Sequence, residues 1–122
     1  MTYESVREVE SESAPGVIYV VTRMSFARRL ELMRRIRDMA RTKEFLEAGQ
    51  DADGKMDGAV LQAEIDRVHL VWGLREVRGL TVDGGAATPE LLAETGQESL
   101  FREALAAVRA ETGLSQAERK NS

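Results

Sequence analysis

A helical pattern of apolar residues extends without a break over residues 26–49, and it constrains the fold more than any other feature of the chain. Ser25 is a favourable N-cap, and Gly49 stands where a left-handed C-cap is expected. At about 100° per residue, the apolar side chains cover about half of the helix circumference. The segment therefore predicts one long amphipathic helix, and its apolar arc consists of Phe26, Leu30, Leu32, Met33, Ile36, Met39 and Ala40.

The residues before this helix predict a small antiparallel β element. Residues 17–22 form a β-branched and aromatic run of strand length, which is the best strand candidate in the chain. A Pro-Gly turn at residues 14–16 precedes this run. Residues 2–12 alternate poorly, so residues 1–13 form either the partner strand of a hairpin or a loose arm.

The residues after the long helix predict a loop and then a second helix. Residues 50–58 carry three Asp and two Gly, which is typical of a polar loop. Their spacing faintly resembles a calcium-binding loop, but Lys55 and Gln62 stand where such a loop needs ligands, so a solvated loop is the better interpretation. Residues 59–72 predict an amphipathic helix that packs against the first.

The C-terminal part of the chain predicts an irregular strand and two more helices. Residues 74–82 supply the strand, which leads into an Asp-Gly-Gly turn. Residues 88–96 predict a short helix with Thr as its N-cap, Pro at its first position and Gly at its end. Residues 97–112 predict a longer helix with one clean apolar face, and Gly113 stops it.

Together these elements predict an α+β fold that is predominantly helical, with a small antiparallel β element near the N-terminus packed against three to five helices. The length fits a single domain over residues 1–122. Residues 114–122 are expected to fray, although Ser115 and Glu118 have the spacing of a capping box that would start one more turn.

Composition removes several classes of function. The chain has no cysteine, one histidine and no glycine-rich phosphate loop, so no catalytic residue, metal ligand or cofactor is predicted. The single histidine, His69, lies at the edge of an apolar helix face, where packing is its expected role. No apolar run approaches the roughly 20 residues of a membrane span, and the N-terminus lacks a signal-peptide pattern, so we expect a cytoplasmic protein.

Charge is distributed unevenly along the chain. Residues 27–43 carry seven positive and two negative side chains, a net +5, in a chain whose total is −4. Guanidinium groups pair well with both phosphate and carboxylate. The acidic total favours arginines that are solvated or paired internally, then an acidic protein partner, and nucleic acid last. The candidate partner contacts lie along the two borders of the apolar arc, with Arg34, Arg37 and Arg41 on one border and Arg28 and Arg35 on the other.

The order of these features resembles the tail assembly chaperones of long-tailed bacteriophages and prophages. The similarity spans most of the chain, but it consists of the order of the elements and of short sequence segments, because this family has no catalytic signature. These segments are RMSFARRLEL (residues 23–32), FLEAG (45–49), WGLREV (72–77), GLTVDG (79–84), TPELL (88–92) and the segment from residue 113 to residue 122.

The resemblance implies a small, mainly helical and non-enzymatic protein that acts during virion morphogenesis in the bacterial host cytoplasm. Such a chaperone binds the helical tape-measure protein and keeps it soluble until the tail-tube protein, a second candidate partner, polymerises around it. Binding in many copies leaves room for a homo-oligomer. The runner-up hypothesis is a small nucleic-acid-associated regulatory protein that uses the arginine-rich helix at residues 26–48.

The C-terminus adds a genetic expectation. Many genes of this family make a longer form by a −1 ribosomal frameshift near the stop codon. The Arg-Lys-Asn at residues 119–121 is compatible with a slippery codon run. A nucleotide sequence without such a run or an overlapping downstream frame would contradict this expectation.

Overall fold

The computed structural model describes residues 1–49 and 51–113. These residues form two compact units, one made of Met1–Met24 with the described residues from Leu70 onwards, and the other of Ser25–His69. The α+β prediction is confirmed, because four helices and a small N-terminal antiparallel sheet are present in the described part of the chain. Gln50, the predicted capping box of Ser115 and Glu118, and residues 119–121 lie outside the described residues.

The first unit is built on a three-stranded antiparallel sheet. Its strands are β1 (Val6–Glu10), β2 (Ile18–Thr22) and β3 (Leu74–Arg78), in the order β1-β2-β3. The predicted hairpin is confirmed: β1 pairs with β2 in antiparallel register, with Glu10 opposite Ile18. Of the two alternatives for the N-terminal residues, the partner strand is the one that forms.

The rest of this unit covers the sheet. After β3 the chain forms a small hairpin of β4 (Thr81–Val82) and β5 (Gly85–Ala86) and then two helices, α3 (Pro89–Thr95) and α4 (Glu98–Thr112). The helices pack on β2 and β3 because α4 has one continuous apolar face. The predicted caps at Thr88, Gly96 and Gly113 are all present. The buried core includes Tyr19, Val21, Leu70, Leu74, Leu92, Leu100, Ala104, Leu105 and Val108.

The second unit consists of one complete helix and most of a second. The first, α1, spans Phe26–Ala48 as predicted, and the Ser25 hydroxyl accepts a hydrogen bond from the Arg28 backbone N–H at 3.2 Å. The predicted left-handed C-cap is wrong. Gly49 has φ −69° and ψ −16°, so the chain stays in the right-handed region and the next helix begins at Ala52.

The predicted polar loop over residues 50–58 is also wrong, because α2 spans Ala52–Gly73 and includes most of it. The Asp51 carboxylate accepts a hydrogen bond from the Gly54 backbone N–H and so caps the new helix. Both Gly54 and Gly58 are buried on one face of α2. A Cβ at Gly54 would lie 2.7 Å from the carbonyl oxygen of Leu46. These glycines therefore permit close approach to the end of α1 and do not mark a loop.

The predicted strand over residues 74–82 divides at Gly79, which separates β3 from β4. Gly79 has φ +75°, and a Cβ there would overlap the backbone carbonyl of Gly16. Gly84, in the β4–β5 turn, has a similar φ of +82° but has no atom within 4 Å of a Cβ. The two glycines thus share a backbone conformation and differ only in the space around them.

This difference predicts unequal effects of alanine. We expect Gly79→Ala to lower the free energy of unfolding by more than about 3 kcal/mol, since it adds a backbone clash to left-handed strain. We expect the control, Gly84→Ala, to cost about 1 kcal/mol from strain alone. Urea unfolding followed by circular dichroism measures both, and equal losses would contradict the predicted close approach at Gly79.

Candidate interaction surface

Polar side chains converge at one place in the first unit, around the carboxylate of Glu103 on α4. One carboxylate oxygen accepts hydrogen bonds from the hydroxyls of Ser11 and Tyr19, the latter at 2.8 Å. The other accepts from the backbone N–H groups of Glu12 and Ser13, at 3.1 and 3.2 Å, and from the Ser13 hydroxyl at 3.2 Å. Five donors from the β1–β2 connection and β2 therefore converge on one side chain of α4.

These contacts move two pKa values in opposite directions. Burial by itself would raise the pKa of Glu103, but the hydrogen bonds from Ser11, Tyr19 and Ser13 together outweigh it and lower the pKa to about 2. Burial, and then the hydrogen bond to Glu103, raise the pKa of Tyr19 to about 12. Near neutral pH the carboxylate stays ionised and the phenol stays protonated.

The Glu103 cluster is a structural anchor between α4 and the β hairpin. A second tie runs parallel to it, since Arg7 of β1 forms an ion pair of 2.6 Å with Glu111 of α4. The sequence gives no signal for either tie, because the paired residues lie 84 to 104 positions apart. The N-terminal strand and the connection after it are thus held by polar and charged groups that sequence patterns do not connect.

The described residues contain no candidate metal site. Within residues 1–49 and 51–113, no group of three His, Cys, Asp or Glu side chains could hold a metal ion. His69 is half-buried. In the same ranges, no helix combines the length and the apolar character needed to cross a lipid bilayer.

The apolar arc of α1 divides into a covered half and an exposed half. Leu32 is buried, and Ile36 and Met39 on the same side are half-buried. The other half remains at the surface: Phe26 is 82% exposed and Met33 is 58% exposed. The sequence predicted the arc as a core-facing surface, and only half of it is used in that way.

We call the exposed half the α1 face, which consists of Phe26, Leu30, Met33, Arg34, Arg37 and Arg41. These positions recur at intervals of three and four residues and fall within an arc of about 100°. All six side chains are exposed. Apolar side chains occupy its N-terminal half, and arginines occupy its C-terminal half.

The structure separates the five arginines that the sequence suggested as partner contacts. Arg34, Arg37 and Arg41 belong to the α1 face, and in the described part of the chain their only ion pair is a long one of 3.6 Å between Arg37 and Asp38. Arg28 and Arg35 lie about 120° away around the helix. Arg35 forms an i,i+4 ion pair of 2.7 Å with Glu31. Only three of the five arginines therefore border exposed apolar residues.

Comparison with known proteins identifies no relative of this chain. No family model, no curated protein and no solved structure matches it. Any inference about function therefore depends on the sequence resemblance and on the α1 face.

The hydrogen bonds of Glu103 predict a stability that depends on pH. The pKa of Glu103 lies below the ordinary value of 4.5, so its contribution to the free energy of unfolding is complete above pH 4.5 and disappears as the pH falls towards 2. We expect Glu103→Gln to lower the urea midpoint at pH 7 and to differ less from the unmodified protein at pH 2.5. Glu90→Gln, at an exposed carboxylate in the first turn of α3, serves as the control and should change stability by less than about 1 kcal/mol. A difference that does not depend on pH would contradict this role of the carboxylate.

Proposed function

We propose that this chain is a non-enzymatic tail assembly chaperone of a long-tailed bacteriophage or prophage, which binds the tape-measure protein and keeps it soluble until the tail tube polymerises. The sequence resemblance supplies the family. The observation that carries the proposal is the α1 face, where three large apolar side chains remain exposed beside three arginines.

Exposed apolar side chains in a helical row are suited to binding another amphipathic helix. A partner helix meets such a row through its own residues at i, i+3, i+4 and i+7. Burying the exposed parts of Phe26, Leu30 and Met33 would contribute at most about 1.5–3 kcal/mol each before the costs of association, and least at Leu30, which is 39% exposed. Met33 also has a flexible thioether side chain that adapts to partners of varied shape. The face thus supports binding to a long helical protein of variable sequence.

The arginines of the α1 face restrict the chemistry of the partner. Arg34, Arg37 and Arg41 extend about two helical turns along its C-terminal half. A partner helix with an apolar stripe and a row of Asp or Glu beside it would satisfy both halves of the face. We therefore infer that the tape-measure segment bound here is amphipathic and acidic on one border.

The use of polar groups elsewhere supports binding over catalysis. The Glu103 carboxylate is engaged by five donors of its own chain. Its pKa of about 2 and the pKa of about 12 for Tyr19 keep both groups from exchanging protons near pH 7. In this proposal the protein works in the host cytoplasm, where the tape-measure protein is made.

Co-expression with the tape-measure protein of the same gene cluster tests the proposal. We expect the chain to increase the soluble fraction of that protein and to co-purify with it. Leu30→Glu should reduce co-purification by about tenfold or more, since it replaces an apolar contact with a carboxylate that binding would desolvate. Leu91→Glu on α3 is the matched control, because Leu91 is 38% exposed and Leu30 is 39% exposed.

Two results would count against this function. An insoluble tape-measure protein with no co-purification would remove the proposed partner. Binding of duplex DNA that weakens steeply with salt would instead favour the alternative, a nucleic-acid-associated regulatory protein using Arg34, Arg37 and Arg41.

A further inference from the structure

A second exposed row lies on α2 and resembles the α1 face with the charge reversed. Met56 is 69% exposed and Val60 is 53% exposed, and Ala63 one turn later is exposed as well. Exposed carboxylates of Asp53 and Asp57 border this row at its N-terminal end. We call these five residues the α2 face. It lies on the side of α2 opposite to Gly54 and Gly58.

The two faces order their groups in a way that suits antiparallel pairing. Along α1 the apolar residues come first and the arginines follow, whereas along α2 the carboxylates of Asp53 and Asp57 come first and Val60 and Ala63 follow, with a third exposed carboxylate, Glu64, beside Ala63. When two helices run antiparallel, residues that meet have numbers with a nearly constant sum. A sum of 93 to 94 places Arg41 near Asp53, Arg37 near Asp57, Met33 near Val60, and Leu30 near Ala63.

One further residue fits the same register at its other end. Phe26 would meet Arg67, an exposed arginine on the same side of α2. Arginine over an aromatic ring is a favourable contact. The register therefore places no like charges opposite one another among these five pairs, and it joins the most exposed aromatic residue of α1 to a cation.

The two faces do not meet within a single chain, because the residues of both remain exposed in it. The close approach of α1 to α2 occurs elsewhere, where Leu46 and Glu47 lie beside Gly54 and Gly58. Each chain therefore exposes both halves of a complementary contact.

We propose that a second copy of this chain occupies these faces: the α1 face of one copy pairs in antiparallel register with the α2 face of another. The contact joins two different surfaces, so it forms either a reciprocal dimer or a continuing array. This pairing does not depend on the proposed function, since it involves the purified chain alone. Salt should weaken it, because Arg37, Arg41, Asp53 and Asp57 are exposed.

Reciprocal charge reversal tests the proposal. The first variant is Arg37→Glu/Arg41→Glu, which makes both faces acidic, and the second is Asp53→Arg/Asp57→Arg, which makes both faces basic. Analytical ultracentrifugation of the unmodified protein, up to on the order of 1 mM, should show concentration-dependent association. Each variant alone should associate at least about tenfold more weakly, and an equimolar mixture of the two should regain association.

Controls separate a specific contact from a general effect of charge or folding. Arg37→Lys/Arg41→Lys keeps the charge and should keep most of the association. Val60→Ser, at an exposed position of the apolar row, should weaken association without reversing any charge. Far-UV circular dichroism verifies that every variant is folded.

Three outcomes would overturn the proposal. The unmodified protein could remain monomeric over the whole concentration range. Both double variants could associate as strongly as the unmodified protein, or their mixture could fail to regain association. The ultracentrifugation test contains no tape-measure protein, so its failure would not affect the proposed function. Failure of the co-expression test would likewise not affect the proposed self-pairing.

Discussion

The first unit depends on the attachment of α4 to β2. Apolar contact supplies most of this attachment, since Tyr19 and Val21 of β2 and Ala104 and Val108 of α4 belong to the same buried core. The Glu103 carboxylate fixes its direction, because it binds Tyr19 and the β1–β2 connection at once. Area burial alone would tolerate a shifted helix, whereas five converging hydrogen bonds tolerate only one position. The same contacts position the β1–β2 connection and, through its pairing with β2, strand β1.

The second unit uses its apolar residues differently. In α4 the apolar residues form one face that is almost wholly buried, while α1 buries Leu32 and exposes Phe26 and Met33. A helix that keeps large apolar groups in water is suited to a contact outside its own chain. Both proposals follow from this contrast: the resemblance connects the α1 face to a tape-measure helix, and the charge order of α2 connects it to a second copy. The two occupants would compete for the same residues.

Periodicity and caps predicted most of the fold from the sequence. The hairpin follows from the β-branched run and the Pro-Gly turn, and α1, α3 and α4 follow from helical spacing and the cap residues Ser25, Thr88 and Gly113. The prediction of a loop at residues 50–58 was wrong because Gly54 and Gly58 allow α2 to approach the end of α1 closely, which only the tertiary structure reveals. The sequence showed that arginines border the apolar arc of α1. It could not show that half of this arc stays exposed, because exposure depends on which elements pack against the helix. Glu103 could not be found, since its partners lie more than 80 residues away.

The buried core lies in the first unit and the exposed apolar residues of α1 lie in the second, which affects how the sequence can change over time. Substitutions at Phe26, Leu30 or Met33 would leave the core around Tyr19 and Leu105 intact, since they belong to no buried cluster. If the α1 face binds a partner as proposed, its specificity would change through these residues while the core stays fixed. Sequence similarity between relatives would then be lost first at the positions that define what they bind.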